Sequence, residues 1–492
     1  MIKDINTIEN LLIDADICII GTGAAGITLG LELENSGKKV VMLEGGSMQK
    51  TQTNQSFYDL ENVNLQIDPD SRIRTFGGTT TVWGGGWKPL DQMDFEKKDW
   101  VPFSGWPITK GILIPYYERG ARMFGGPTLE EFEISNVRKF FRNRNNYILD
   151  TKEIKTTLLR ILPREKWNFA RNYQQIFELS SSIEVFLNAP VTKIILDSKK
   201  KKVAEVVVQT LLGKKIDIKA KHYIVACGGI ENARLLIFSE IGNKYDQVGR
   251  YYMDHPKFVS GSIVPERRNL NLSLYWKPQD VNGLAIAGLR LSDDTQRSLG
   301  VLNSYVHFLP RYVSDQYTFT ALKVFASNNI LSKALRVLMR LYTGIGEVRV
   351  RNFMEQAPYP GNRVSLSSKK DVLGNPLARV EWSLSPLDKK SLFVLHTVLK
   401  KELGQNHISD LTSSILDGTE TFVSVRDASH HIGTTRMGTD PRYSIVDENC
   451  RVHDIENLFI AGSSVFPTSG HANPTATIIA LAVRLADYLR FL

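Results

Sequence analysis

The sequence predicts an α/β fold built on a parallel β-sheet, and three stretches of the chain carry that prediction. An isoleucine-rich run (15–20) leads into a glycine turn, a helical stretch and a second apolar run (39–44). A region of strand-like patterning (183–226) also ends in an apolar run. The last stretch (457–492) reads as strand, glycine loop and helix. Short, wholly apolar runs are typical of parallel strands buried on both faces.

The first stretch is a βαβ unit of about 30 residues. Its turn has the spacing G-x-G-x-x-G between a predicted strand and a predicted helix. There Gly21 permits the turn, Gly23 lets a pyrophosphate approach the backbone, and Gly26 lets helix and strand pack closely. Glu44 ends the second strand, where its carboxylate is placed to bind ribose hydroxyls and would repel the 2′-phosphate of NADP. The unit predicts a dinucleotide site but does not separate FAD from NAD.

Later segments are predicted in order along the chain. Residues 51–75 are expected to be loop, and the run at 77–87, rich in glycine and tryptophan, indicates backbone pressed against a flat ligand or, alternatively, a glycine-rich surface loop. The 183–226 region is expected to form a small antiparallel insert that returns to the main sheet and precedes a helix (231–239). The middle third, 256–424, mixes strands and helices without recognisable chemistry, which suits a substrate-facing domain.

Composition excludes several classes of protein. A chain of 492 residues argues for two or more folded units, and 42% hydrophobic with 23% charged residues is ordinary for a globular protein. Three cysteines (Cys18, Cys227 and Cys450) form no disulfide framework and no C-x-x-C pair. The net charge of +9 is spread thinly, and its one run, Lys199–Lys202, predicts a solvated hairpin tip rather than a nucleic-acid or membrane contact.

The same reading predicts a cytoplasmic protein. The first residues mix Asp and Glu among apolar side chains, unlike a signal peptide. No stretch approaches the roughly 18 apolar residues that a membrane span needs. One segment, 330–342, places apolar residues on one helical face and basic residues opposite. Such a helix more often covers a core, although it can also lie on an anionic membrane.

Histidines near the C-terminal end are the candidates for chemistry. His430 and His431 begin the run HHIGTTRMG, and a histidine can accept an alcohol proton near neutral pH. Adjacent loop histidines are more often structural than catalytic. His471, beside Asn473, could be a second base, and His255 could equally be a packed loop histidine. No spacing typical of a metal site is present, so no metal is expected. Pro474 begins the final helix, whose positive end could face a developing negative charge such as that of a reduced flavin.

Taken together, the motifs resemble those of the glucose-methanol-choline (GMC) oxidoreductases. They occur in family order: GTGAAG with Glu44, GGTTTVWGGGW, GWPI with PYYE, VGRYYMDHP, HHIGTTRMG, and NLFIAGSSVFPTSGHANPTATIIALAVRLADYL. The resemblance implies a Rossmann-like FAD-binding domain assembled from segments 1–104, 181–255 and 425–492. It also implies a helical substrate or cap region at 105–180 and an α+β substrate domain with an antiparallel sheet at 256–424.

The resemblance further implies oxidation of a CH–OH group, with a base taking the O–H proton and the hydride passing to flavin N5. The family's base falls on His430, and the second active-site position falls on Asn473, which can donate a hydrogen bond to the substrate oxygen. FAD contacts carry over to Gly21, Gly23, Ala25, Gly26, Glu44, Gly78, Thr79, Gly84, Gly86, Val191, Gly228, Gly462, Pro474 and Thr475.

The His/Asn pairing and the T-x-W-G block look most similar to the sugar and polyol branch, which includes pyranose oxidases and fructose dehydrogenases. Some of those relatives bind FAD covalently through a histidine at the position of Val82. Valine cannot form that bond, so we expect non-covalent FAD, a sugar, amino sugar or polyol substrate, and either oxygen or another electron acceptor. The alternatives are a flavin lyase of the hydroxynitrile type and a membrane-associated or partner-bound flavoprotein subunit without turnover.

Overall fold

The fold is described from a computed structural model of the chain. The structure describes residues 1–9, 11–136, 147–264, 272–276, 284–312 and 345–492. The predicted amphipathic helix at 330–342 lies outside these residues. In the described part, three β-sheets organise the chain, and two of them enclose the site discussed below.

The strands and helices follow the chain in a fixed order. The strands are β1 (Ile2–Asp4), β2 (Leu12–Ile20), β3 (Val40–Leu43), β4 (Leu60–Asn64), β5 (Gly86–Trp87), β6 (Ile154–Ile161), β7 (Ile183–Leu187), β8 (Val191–Leu196), β9 (Val203–Gln209), β10 (Lys215–Val225), β11 (Lys257–Ile263), β12 (Leu284–Leu291), β13 (Tyr305–Tyr312), β14 (Ile345–Phe353), β15 (Arg363–Lys370), β16 (Pro376–Trp382), β17 (Leu411–Ser413) and β18 (Leu458–Ile460). The helices are α1 (Ala24–Leu33), α2 (Gln52–Ser56), α3 (Lys110–Phe124), α4 (Phe169–Leu179), α5 (Gly228–Phe238), α6 (Ser273–Trp276), α7 (Asp293–Leu299), α8 (Pro386–Gln405) and α9 (Thr475–Arg490).

The first sheet has the order β1-β7-β3-β2-β10-β9-β8, and β18 also pairs with β10. Strands β1, β7, β3, β2, β10 and β18 run parallel, while β9 and β8 are antiparallel additions. Helix α1 packs against α9 beside this sheet. The predicted parallel sheet with a small antiparallel insert is therefore confirmed, and the lysine run 199–202 lies at the tip of the β8–β9 hairpin.

The second sheet is antiparallel, with the order β17-β11-β14-β13-β12-β6-β5. One of its faces packs on α8, where Val348 and Val350 share a hydrophobic core with Leu395 and Leu399. A third sheet, β15-β16-β4, links the segment after β3 to the C-terminal half. The antiparallel sheet predicted for the substrate-facing part of the chain is confirmed.

Three predictions of secondary structure are wrong in detail. The region 105–180, predicted to be mainly helical, contains α3 and α4 but also β6. That strand forms because Ile154 and Leu158 on one face join the core of the second sheet. Residues 51–75, predicted as loop, hold α2 and β4, and β4 gains its hydrogen bonds from β16, which is distant in sequence. The sequence pattern predicts two strands, 215–219 and 223–226, where the structure has one long strand, β10.

None of the helices among the described residues is both long enough and apolar enough to cross a membrane.

Candidate active site

A cavity of about 520 Å³ lies where three helices begin, at the edge of the first sheet. The N-caps of α1, α5 and α9 are Gly23, Cys227 and Pro474, and all three line the cavity. No side chain caps any of these three described helices. Their first backbone N–H groups are therefore available to a ligand, and the helix dipoles favour negative charge there.

The three glycines of the G-x-G-x-x-G turn have different surroundings. Gly21 has φ +105°, and a Cβ there would lie 2.6 Å from the Ala226 oxygen. A Cβ on Gly26 would lie 2.0 Å from the Gly21 oxygen, while a Cβ on Gly23 would meet no heavy atom within 4 Å. Gly21 and Gly26 thus hold the turn together, whereas Gly23 leaves space on the cavity side.

Glu44 follows β3 and is buried in the cavity wall. Its Oε2 accepts hydrogen bonds from the hydroxyl and the backbone N–H of Thr22, at 2.5 and 3.2 Å, and its Oε1 accepts one from the Gly46 N–H at 2.8 Å. Burial raises the pKa of Glu44, and these hydrogen bonds and the nearby Arg74 oppose that rise. The carboxylate is thus fixed in orientation with remaining acceptor capacity for hydroxyl groups.

The 77–87 run wraps around one end of the cavity. Gly85 has φ +67°, and a Cβ there would lie 2.2 Å from the Trp167 Nε1 atom. A Cβ on Gly86 would lie 2.9 Å from Nδ2 of Asn473. Trp83 lines the cavity, whereas Trp87 is buried in the core. Val82 is 57% exposed and also lines the cavity. Of the two tryptophans in the run, only Trp83 is therefore placed to contact a flat ligand in this cavity.

Most residues predicted to contact FAD lie in the wall of this cavity. Gly26 is the exception, because it packs on the turn instead. The wall contains both predicted catalytic residues, His430 and Asn473, together with Gly21, Gly23, Ala25, Glu44, Gly78, Thr79, Gly84, Gly86, Val191, Gly228, Gly462, Pro474 and Thr475. The structure thus brings together residues from three separated segments, and their functional roles stay predictions.

His430 stands in a chain of three side chains. Its Nδ1 lies 2.8 Å from Nδ1 of His255, and its Nε2 lies 3.2 Å from Nδ2 of Asn473. Nε2 of His255 faces two carbonyl oxygens, of Ser469 at 3.3 Å and of Gly470 at 2.9 Å. The sequence left His255 undecided as a packed loop histidine, and the structure places it behind the predicted base.

These contacts fix where the protons lie. A carbonyl oxygen only accepts, so Nε2 of His255 carries a hydrogen, and burial lowers the pKa of His255 to about 4. The neutral His255 ring therefore offers a bare Nδ1, which accepts from Nδ1–H of His430. The neutral His430 ring then has its lone pair on Nε2, where the Asn473 amide donates to it.

The surroundings keep His430 unprotonated at neutral pH. Burial is the largest cause that lowers its pKa well below the ordinary value of 6.5, and the neighbouring His255, Lys257 and His431 lower it further. No carboxylate among the described residues forms an ion pair with His430. A neutral imidazole whose Nε2 lone pair is held only by the Asn473 amide can take a proton there once a substrate hydroxyl replaces that contact.

Asp254 ties the two loops that carry His255 and His430. Its carboxylate accepts from the backbone N–H groups of His255, at 2.6 Å, Ala428, at 2.9 Å, and His430, at 3.3 Å. His431 lies between Asp254 and Asp427, 4.0 and 3.9 Å from their oxygens. These three buried side chains offer ligand atoms that all lie within 4.8 Å of one another, which is close enough for a metal. They also support the loops around the base.

His471, the second alternative base, is held apart from His430. Its Nε2 lies 3.3 Å from the Thr157 hydroxyl, and its Nδ1 lies 3.7 Å from a carboxylate oxygen of Asp91. Its ring lies 5.0 Å from that of Tyr305 on the second sheet, tilted by 54°. His471 does not line the cofactor cavity, whereas His430 does, which favours His430 as the base.

The cavity wall contains an ionic cluster that the sequence analysis did not predict. Glu231 pairs with Arg72 at 2.9 Å and with Arg234 at 2.6 Å, and all three are buried. Arg72 lies within the predicted loop 51–75, whereas Glu231 and Arg234 lie on α5. In the sequence, only the i, i+3 spacing of Glu231 and Arg234 indicates an ion pair, because Arg72 is distant from both along the chain.

The wall fits an elongated anionic cofactor such as FAD. At Gly84, Gly228 and Gly462, as at Gly23, an added Cβ would meet no heavy atom within 4 Å. Backbone can therefore contact a ligand directly at four places along the cavity. The start of α1 would hold the pyrophosphate, Glu44 the ribose hydroxyls, and the start of α9 the pyrimidine side of a flavin.

Comparison with known proteins gives the family. GMC oxidoreductase models match residues 164–257 and 358–482. The chain is 25% identical to 2-methyl-1,2-propanediol dehydrogenase of Mycolicibacterium austroafricanum, over 96% of this chain and 95% of that protein. It is 24% identical to paromamine 6′-oxidase of Streptomyces fradiae, over 96% and 90%. It is also 30% identical to the fructose dehydrogenase large subunit of Gluconobacter japonicus, over 55% and 47%.

A solved structure supports the fold. Formate oxidase superimposes with a TM-score of 0.63 at 15% identity, covering 98% of this chain and 99% of that one. At that identity the likeness concerns the fold alone. The matched models, the relatives and the shared fold agree with the motifs in the sequence, and the chain belongs to the GMC oxidoreductases.

Proposed function

We propose that this FAD-dependent oxidoreductase oxidises an alcohol to a carbonyl, with His430 as the base and Asn473 as its partner. Bound FAD supplies the hydride acceptor. The observation that carries the proposal is the chain His255–His430–Asn473, which leaves the lone pair of His430 Nε2 at the cavity. Sugars, amino sugars and polyols are the proposed substrates, because relatives are named for such molecules.

His430 takes the hydroxyl proton at Nε2. The resulting imidazolium keeps its Nδ1–H directed at the bare Nδ1 of His255, 2.8 Å away, so the ring need not rotate during the transfer. A general base in this position contributes about a hundredfold or more to the rate. His255 is a positioning residue, since it acts only through His430.

Asn473 completes the site from the opposite side. Its Nδ2 lies 3.2 Å from Nε2 of His430, and its side chain is confined by the backbone of Gly86. These two atoms are too close to hold an oxygen between them, so a bound alcohol would replace their direct contact, donate its hydrogen to His430 and accept one from Asn473. The amide then stabilises the negative charge that develops on that oxygen.

FAD is proposed to be non-covalent. Val82 stands at the position where some relatives attach the flavin, and its side chain has no nucleophilic atom. The proposal includes either oxygen or another electron acceptor for reoxidation of the reduced flavin. All three cysteines are unpaired in the structure, which supports the proposed cytoplasmic location.

The test replaces His430 by Ala in the FAD-loaded protein. We expect flavin reduction by an alcohol, followed anaerobically at about 450 nm, to slow at least a hundredfold while FAD stays bound. His453→Ala is the matched control, because His453 is also partly buried but bonds Ser444 away from the cavity. An unchanged rate in His430→Ala would refute the base assignment, and a wild-type flavin that no alcohol reduces would favour lyase chemistry.

A further inference from the structure

The second sheet presents one of its faces to the catalytic loops. Along β14, Val348 and Val350 point into the core with α8, so Arg349, Arg351 and Phe353 project from the opposite face. Residues directly paired in antiparallel strands share a face. Tyr305 pairs with Phe353, and His307 pairs with Arg351, which extends the same face across β13.

Contacts place this face over the site. The Tyr305 ring lies 5.0 Å from that of His471, and the Thr157 hydroxyl lies 3.3 Å from the same histidine. Leu159 and Ile161, on the same side of β6 as Thr157, line the cofactor cavity. This face, which we call the inner face, therefore borders the cavity that contains His430 and Asn473.

The inner face carries more positive charge than its acidic groups balance. Arg290 pairs with Asp293 at 2.6 Å, Lys155 pairs with Asp150 at 2.9 Å, and Arg311 pairs with Glu347 at 3.6 Å. Three cations have no acidic partner within ion-pair distance among the described residues. They are Lys257, Arg349 and Arg351.

These three cations form a stripe that starts beside the base. Lys257 pairs across the strands with Phe353 and is close enough to His430 to lower the pKa of that histidine. Arg351 lies two residues before Phe353 on β14, on the same face, and Arg349, two residues before Arg351, is exposed. The stripe thus leads from the catalytic histidine toward solvent.

Arg351 is the best-defined member of the stripe. It is partly buried, and its guanidinium lies 5.7 Å from the centre of the Phe353 ring. Burial is the largest cause that lowers the pKa of Arg351, and Arg349 lowers it further. The group stays charged at neutral pH, so its planar set of N–H donors is available to a carboxylate or phosphate.

We infer that the alcohol substrate carries an acidic group, a carboxylate or a phosphate ester, which binds Arg351 on the inner face while the hydroxyl lies at His430. This inference rests on the proposed function, since it names the substrate class of the same site. Lys257 and Arg349 attract the anion at longer range, and Arg351 forms the direct contact.

The experiment compares matched sugars on the FAD-loaded protein. Glucose, glucuronate and glucose 6-phosphate are titrated anaerobically, and binding is measured from the shift of the oxidised flavin spectrum, separately from bleaching. We expect at least one acidic sugar to bind about tenfold or more tightly than glucose, with a preference that weakens as salt is raised. The two acids distinguish carboxylate from phosphate recognition.

The role of Arg351 is tested by Arg351→Gln and by a control, Arg311→Gln, that removes the same formal charge elsewhere on the inner face. Arg351→Gln should abolish the preference for the acidic sugar, and Arg351→Lys should restore part of it. Arg311→Gln, on the same face but already paired with Glu347, should leave it within about twofold of wild type. A preference that survives in Arg351→Gln would overturn the inference.

The outcomes separate the two proposals. If glucose bleaches the flavin and neither acid binds more tightly, the proposed function stands and the acidic substrate is refuted. If an acid binds through Arg351 but no alcohol bleaches the flavin, the anion site stands and alcohol oxidation is refuted. If nothing binds or bleaches, both are refuted for this class of sugar.

Discussion

The cofactor cavity is formed mainly by backbone groups, whereas the histidine cluster at its end, His255 and His430 with Asn473, is formed by side chains. The cavity wall depends on backbone: glycines without neighbours at their Cβ positions, and helices whose first N–H groups no side chain caps. The cluster depends on side chains, because each ring nitrogen from His255 to His430 has one assigned role. The cavity should therefore be sensitive to an added methyl group, and the cluster to the loss of a hydrogen-bonding atom.

Among the variants that test this comparison, the largest effect is expected from Gly23→Ala. The methyl group would occupy the space that faces the cavity, so FAD affinity should fall by a factor of about 10 to 100, as overpacking costs 1–3 kcal/mol. The protein itself should still fold, because the Gly23 φ of −70° suits alanine. FAD titration of the apoprotein and its circular dichroism check both points. Gly37→Ala is the control for glycine replacement outside the cavity, although its φ of +73° adds a stability cost.

Replacing His255 tests the side-chain half of the comparison. His255→Ala removes the acceptor for Nδ1–H of His430, and we expect flavin reduction to slow about 10- to 100-fold with FAD still bound. His255→Gln should recover much of the rate, since its amide can accept from His430 and donate to the Gly470 oxygen. If both variants lose activity equally and keep the wild-type pH profile, His255 is only a packing residue.

The pH dependence of flavin reduction tests how nearby charges affect the pKa of His430. His430 acts in its neutral form and its pKa is lowered, mainly by burial, so flavin reduction should stay constant as pH falls through 6.5 and decline only at lower pH. Lys257→Met removes a cation that lowers this pKa, so the acidic limb should move to higher pH. The exposed and distant Lys221 provides the control, Lys221→Met. An acidic limb that stays in place in Lys257→Met would contradict the assignment.

A smaller effect is expected at Glu44. Glu44→Gln keeps the shape but loses the charge and some acceptor capacity for the ribose hydroxyls, which should weaken FAD binding by about tenfold, or about 1.4 kcal/mol. Thr22→Val removes the hydroxyl that orients the carboxylate and should have a weaker effect in the same direction. Equal FAD affinity in Glu44→Gln and wild type would show that backbone contacts alone hold the nucleotide.

The same division explains what could be predicted from sequence. Features built from backbone are encoded by local motifs. The turn at 21–26, apart from Gly26, and most of the run at 77–87 line the cavity as expected. Side-chain clusters leave no local signal, because His255 meets His430 across 175 positions of the chain. Strand β6 was predicted as helix for the same reason, since its partner β12 and its core contacts lie more than a hundred residues away.

The three uncapped helix starts also bear on how the protein is made. Backbone N–H groups of α1, α5 and α9 meet at one cavity and find no side-chain acceptor at their caps. A cofactor that satisfies them binds the folded chain and not the unfolded one, which adds about 4 kcal/mol of stability at a thousandfold excess over Kd. Supply of the vitamin-derived cofactor would then set how much of this enzyme a cell can accumulate.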